Sequence, residues 1–168
     1  MAEEKRIAIK KPLGFNCFVC GTANPIGLDL QFYRAGDSVC ADITLSEIYE
    51  GWQNMAHGGI TSALLDEVMS WAIMYSKRVF LMTRSMNIKY IKPVLIGTPL
   101  TVKGKLVDDS EPPKMRARAE IRDHTGKLLV KSSGEFVVIP EDRLPLVPDK
   151  LKKEMRSLFE RFESTAIG

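Results

Sequence analysis

Apolar and polar residues alternate strictly over Lys114–Asp123, where Met115, Ala117, Ala119 and Ile121 oppose Lys114, Arg116, Arg118, Glu120 and Arg122. Successive side chains of a strand point to opposite faces, so this pattern predicts a strand with one buried face. Asp123-His124-Thr125-Gly126 then reads as a hairpin turn into a second strand, Leu128–Ile139. Val79–Ile91 also reads as a strand, with Phe80, Met82, Met86, Ile88 and Tyr90 on one face. Leu81, Thr83, Ser85, Asn87 and Lys89 fall on its other face. A Pro93…Gly97…Pro99 turn leads to a strand over Leu100–Val107. Nearer the N-terminus, Leu28–Arg34 and Ser38–Leu45 are joined by Ala35-Gly36-Asp37, a hairpin spacing.

Two segments follow a helical period instead. Pro148–Ser164 places Leu151, Met155, Leu158, Phe159 and Phe162 on one side, with Pro148 suited to the first helical position. Gly59–Ser76 differs, because its apolar residues (Ile60, Ala63, Leu64, Leu65, Val68, Met69 and Trp71–Tyr75) lie on nearly every side. A helix apolar all round is buried on most of its circumference. A wrapping sheet plus a partner surface is expected to supply that cover. The order is two strands, a buried helix, four strands and an amphipathic helix, which predicts an α+β class. A curved antiparallel sheet wrapped around a central buried helix is the arrangement called a hotdog fold. The expected divisions are a flexible tail over residues 1–14, the hotdog domain over 15–139 and a helical extension over 140–168.

Composition adds limits. The 168 residues suit one domain, with 45% hydrophobic and 27% charged residues. Twenty-four basic against 21 acidic residues give a net charge of +3, which argues against a dedicated nucleic-acid binder. The first twelve residues carry charges of both signs and no apolar run, so no secretory leader is expected there. The apolar stretch Ile60–Tyr75 is interrupted by Asp66 and Glu67, so no membrane span is expected either. An odd count of three cysteines fits a reduced, cytoplasmic protein.

Candidate chemistry gathers at the buried helix. His57-Gly58-Gly59 stands at its start, where free N–H groups carry partial positive charge and suit a developing oxyanion. Asp66 lies in its middle, where a carboxylate is costly unless paired or hydrogen-bonded. The run from His57 to Asp66 resembles the signature of hotdog-fold acyl-CoA thioesterases. It is most similar to the branch of phenylacetate-pathway thioesterases and thioesterase superfamily members, which carries His-Gly-Gly with an Asp nine residues after the His. The resemblance continues through Met82–Pro93, with its closing Tyr90-x-x-Pro93, and upstream through Cys17-x-x-Cys20-Gly21…Asn24-Pro25-x-Gly27-Leu28.

The resemblance implies an acyl-CoA substrate and hydrolysis of its thioester to free acid and coenzyme A. It makes Asp66 the base or nucleophile, the Gly58 N–H the carbonyl's donor and Thr83 a neighbour of the attacking group. Read from the residues themselves, His57 is a candidate catalytic-site residue that shapes the entrance by hydrogen-bonding its loop rather than acting as the general base, Gly59 is a candidate substrate contact, and Asn54 reads as a turn residue first and a substrate contact second. One position departs, since some members carry Asn six residues before the His, where this chain has Gly51. Gly58 and Asp66 are eight residues apart, about 12 Å along a helix. One helix therefore cannot place both on a single carbonyl, and an antiparallel second copy could. A homodimer or a dimer-of-dimers tetramer is expected, as the resemblance also implies.

Other features have plainer readings. Glu67, one step round the helix, reads as a solvated or inter-subunit ion-pair group. Cys17-x-x-Cys20 could open a zinc site, but Cys40, His57 and His124 form no second ligand pair. Two packed cysteines and no metal are therefore expected. No redox or other cofactor is implied. Lys114, Arg116, Arg118 and Arg122 form a basic strip, read as a solvated face or as a contact for the phosphates of coenzyme A. An alternative function is a non-catalytic acyl or CoA-binding module. A dehydratase hotdog suits the His-Gly-Gly…Asp arrangement less well.

Overall fold

The computed structural model describes residues 5–165, with side chains as far as residue 162. Seven strands form one antiparallel sheet: β1 (Ile7–Ile9), β2 (Phe32–Ala35), β3 (Ser38–Thr44), β4 (Leu81–Tyr90), β5 (Pro99–Asp108), β6 (Lys114–Asp123) and β7 (Leu128–Val138). Their order across the sheet is β1-β2-β3-β5-β6-β7-β4, which leaves β1 and β4 at the edges. Helix α1 (Gly58–Lys77) packs on one face, and α2 (Asp149–Thr165) closes the chain. Short 3-10 turns at Glu47–Tyr49 and Glu141–Arg143 precede the two helices. This is the hotdog arrangement expected from the sequence.

The core lies between α1 and the sheet. Leu64, Leu65, Val68, Met69 and Ile73 of α1 are fully buried, as are Val102, Ala117, Ile121, Val130 and Phe136 of the strands. The close approach depends on Gly104 of β5. A Cβ there would lie 2.7 Å from the Val68 carbonyl oxygen. Gly104→Ala therefore has to push backbone apart. A loss of about 1–3 kcal/mol, the usual cost of overpacking, is expected in the denaturant midpoint.

Three expectations change. Ile7–Ile9, read as part of a flexible tail, pairs with Phe32–Arg34 as a strand. Residues 1–4, the rest of that tail's start, lie outside the described residues. The strand predicted over Leu28–Arg34 begins only at Phe32. Before that, the N–H groups of Leu28 and Leu30 donate to the carbonyls of Phe18 and Val19, so this stretch pairs with the turn-rich segment instead. The cover of α1 also comes largely from within the chain. Val19 and Leu30 of the N-terminal segment join its core, as do Leu158, Phe159 and Phe162 of α2. The Phe162 ring meets Tyr75 at 4.6 Å and Phe159 meets Phe80 at 5.7 Å. No described helix is long and apolar enough to cross a membrane.

The fourth strand differs from its predicted faces. Its register against β7 shifts between Thr83 and Ser85, a β-bulge at Arg84. Beyond the bulge, Met86 and Ile88 pack on the core, and the Tyr90 hydroxyl reaches α1. Before it, Thr83 also reaches α1. Residues 83, 86, 88 and 90 cannot share a face of a regular strand, because the side-chain period is two. The extra residue reverses the alternation, as bulges do.

Candidate active site

The first turn of α1 is built around His57, its N-cap. The His57 Nδ1 accepts from the Gly59 N–H at 2.9 Å, and its carbonyl accepts from Ile60 and Thr61. Its own N–H donates to the Tyr49 carbonyl at 2.9 Å. An Nδ1 that accepts a hydrogen bond carries no proton, so the imidazole holds the helix start in shape. Gly59 therefore has its N–H engaged. The Gly58 N–H makes no hydrogen bond among the described residues. It is one of the donors that the start of every helix leaves over. The Tyr90 hydroxyl donates to the Gly58 carbonyl at 3.0 Å and ties the edge strand to this turn. The sequence held a trace of this contact only in the Tyr-x-x-Pro pattern.

Two turns further on, Asp66 is half-buried and accepts from the Thr83 hydroxyl at 2.7 Å through Oδ1. Its Oδ2 takes no hydrogen bond among the described residues. Burial holds its carboxyl above the usual carboxylate range, while the Thr83 hydroxyl pulls it back down. The pair Asp66–Thr83 exists because the bulge at Arg84 turns Thr83 toward the helix. The structure brings Asp66 and Thr83 together. Gly58 shares their helix but lies eight residues away from Asp66, with no contact between them.

Asn54 stands apart. It is a turn residue with φ of 64°, whose N–H donates to the Glu50 carboxylate and whose carbonyl accepts from Ile96. Gly51 packs against His57, since a Cβ there would lie 3.1 Å from the His57 Cα. An asparagine at that position would have to displace the loop that sets the helix start. The basic strip divides. Arg116 pairs with Asp108 and Glu111, and Arg122 with Glu120. Arg118 instead lines a hollow of about 630 Å³ on the sheet, with Lys89, Lys103, Lys105 and Lys131.

Glu67 is not a solvated group. Its Oε1 accepts from the Trp71 indole N–H at 2.9 Å, and its carboxylate lies 3.9–4.0 Å from the Cys17 sulfur. Burial, with the Cys17 sulfur beside it, pushes its carboxyl up to about 7. The Cys20 thiol and nearby backbone N–H groups hold the Cys17 thiol down at about 5. Cys20 is pushed upward by donating to Cys17 and by burial.

A buried helix wrapped by this sheet, with a carboxylate in its middle and an unfilled donor at its start, defines a protein of the hotdog fold. A sequence model of the family described as "Thioesterase superfamily" matches residues 53–109, from the loop before α1 to just past β5. A solved structure described as a thioesterase superfamily protein is 28% identical, with a TM-score of 0.64. That match covers 68% of this chain but only 56% of the other, so this chain spans little more than half of that protein's length. The E. coli PaaI protein from the phenylacetic acid degradation operon is 17% identical over 67% of this chain and 81% of its own, with a TM-score of 0.61. A hypothetical thioesterase protein from Streptococcus pneumoniae, solved with coenzyme A, is 21% identical. It covers 60% of this chain and 80% of its own, with a TM-score of 0.57. A search of curated proteins found no match.

Proposed function

We propose that the protein hydrolyses acyl-CoA thioesters at a site shared between two subunits. The observation that carries this reading is the Asp66 carboxylate held at Oδ1 by Thr83, with Oδ2 left for a water. The thioester carbonyl oxygen accepts from the Gly58 N–H of one protomer. Asp66 of the partner subunit takes a proton from water, and the resulting hydroxide attacks the carbonyl carbon. The tetrahedral oxyanion stays on the Gly58 N–H, where the helix start favours negative charge. The carbon–sulfur bond then breaks, and coenzyme A leaves as a thiolate. A thiol pKa near 8.5 makes that a fair leaving group without a strong general acid.

The surface supports a subunit contact beside the helix start. Edge strand β4 has no partner on its outer side within the sheet. Exposed apolar residues gather round it and the neighbouring loops: Ile48, Trp52, Met82, Tyr90, Ile91 and Leu95. Trp52 is 80% exposed, which a monomer gains nothing from. A bridge between Met55 and Leu95 fixes two of these loops to each other. A cytoplasmic setting, where cysteines stay reduced, suits the reaction.

The test is a panel of acyl-CoAs differing in chain length and aromatic character, with a thiol-trapping dye to read free coenzyme A. Turnover of at least one member is expected, with the rate proportional to enzyme. Saturable binding of acyl-CoA without any release of thiol would instead make the protein a binding module.

A further inference from the structure

The segment Cys17-Phe18-Val19-Cys20-Gly21 forms a tight turn pressed against α1. Its geometry depends on Gly21, whose N–H donates to the Cys17 carbonyl at 2.9 Å. A Cβ on Gly21 would fall 2.4–2.5 Å from backbone atoms of Phe15 and Cys17, so no other residue fits there. The turn points both sulfurs at one carboxylate. The Cys17 and Cys20 sulfurs and an oxygen of Glu67 all lie within 4.8 Å of one another.

We propose that Cys17, Cys20 and Glu67 form a binding site for a zinc-class divalent cation, with water as the fourth ligand. Five features carry this. Cys-x-x-Cys is the commonest spacing for two thiolates on one zinc ion. Bond lengths near 2.3 Å to sulfur and 2.0–2.2 Å to oxygen give tetrahedral edges of roughly 3.5–3.8 Å. Cys17 to Glu67 is already 3.9–4.0 Å, so only a small contraction closes the site. The Cys20 N–H donates to the Cys17 sulfur at 3.5 Å, a contact that favours the thiolate a metal needs.

The Trp71 indole N–H on Glu67 Oε1 is the fourth feature. Ligating carboxylates are commonly held by such an outer hydrogen bond, which fixes their orientation. Trp71 is itself locked, 2% exposed and stacked on Phe32 with ring centroids 4.6 Å apart. Fifth, the cluster opens on a cavity of about 270 Å³ lined by Cys20, Glu67, Trp71, Met74 and Phe80. Three protein ligands with one position facing a cavity is the pattern of an open zinc site. The cation would neutralise a half-buried carboxylate that otherwise faces two sulfurs. It would also clamp the N-terminal segment to α1, one residue from Asp66.

The experiment uses the full chain, reduced with a phosphine that does not bind metal, and titrated with Co²⁺ in place of Zn²⁺. One Co²⁺ per chain is expected, with thiolate-to-metal absorption in the near ultraviolet and strong visible bands of a tetrahedral ion. Zn²⁺ should displace it. Glu67→Gln keeps the shape and the Trp71 contact but removes the anionic ligand. It should weaken binding by more than the 10–100-fold typical of lost outer-shell contacts. Cys17→Ser should abolish the absorption, and Cys40→Ala, on a separate strand, should leave it unchanged. Equal affinity in Glu67→Gln, octahedral Co²⁺ spectra without thiolate bands, or no binding by the reduced chain would each overturn the proposal. None of these readouts depends on thioester hydrolysis.

Discussion

Asp66→Asn is expected to slow thioester hydrolysis by at least about 100-fold, the low end for a positioned acid–base group. Asparagine keeps the volume of the side chain, and its Oδ1 still accepts from Thr83. What it loses is the capacity to take a proton from water. Stability should hold, because burial already disfavours the charged form of Asp66 and a neutral amide avoids that penalty. The measurement is kcat/KM on the best acyl-CoA of the panel, beside a thermal melt of the same preparation. Turnover at the original level in a folded variant would remove Asp66 from the mechanism.

Mixing two inactive variants should restore about a quarter of the wild-type sites. Gly58→Pro removes the N–H donor. Proline is well tolerated at the first helical position, provided that the residue before it is extended. His57 is extended, with φ −60° and ψ 136°. A Cβ at Gly58 would meet the Tyr90 side chain first, its hydroxyl oxygen at 3.5 Å, an ordinary van der Waals contact. The helix start therefore survives the substitution. Asp66→Ala removes the carboxylate. In a mixed dimer, one site collects both defects and the other is intact. Random mixing of equal amounts makes about half of the dimers mixed, hence about a quarter of all sites whole. Each variant alone should stay inactive. No recovery after verified subunit exchange would mean that both groups act within one chain, or that the roles assigned here to Gly58 and Asp66 are wrong.

Much of the fold was legible because its strands alternate cleanly. The strand at Lys114–Asp123 matches its predicted bounds, since one face is buried and the other carries charge. The central helix and its wrapping sheet were legible from apolar residues on nearly every side of the helix, but the cover from the chain's own N-terminal segment and last helix was not. Val19, Leu30 and α2 supply packing that periodicity along α1 cannot reveal. The strand at Ile7–Ile9 was missed because three residues on an edge carry too little pattern to stand out. Within the candidate site, Asp66 and Thr83 were picked out by resemblance, and the structure joins them by a hydrogen bond. Tyr90 was passed over because its contact is with a carbonyl 32 residues away, which no local spacing encodes. Glu67 was misread for a related reason. Trp71 lies four residues on along the same helix, but Cys17 comes from the N-terminal segment, and only folding brings it against the carboxylate.

The bulge at Arg84 gives the edge strand a parity. Substitutions there change chemistry one residue at a time, whereas a change of length changes everything upstream at once. Inserting one residue between Ser85 and Tyr90 leaves the residues of the strand in place by name, yet it turns Thr83 to the outer surface and separates it from Asp66, whereas deleting Arg84 removes the bulge and keeps Thr83 on the face of Tyr90. Residue content is then no guide to whether a homologous strand carries the same site. The count of residues between this threonine and Tyr90 is the better guide, because an even separation puts both on one face of a regular strand and the odd separation seen here needs the bulge.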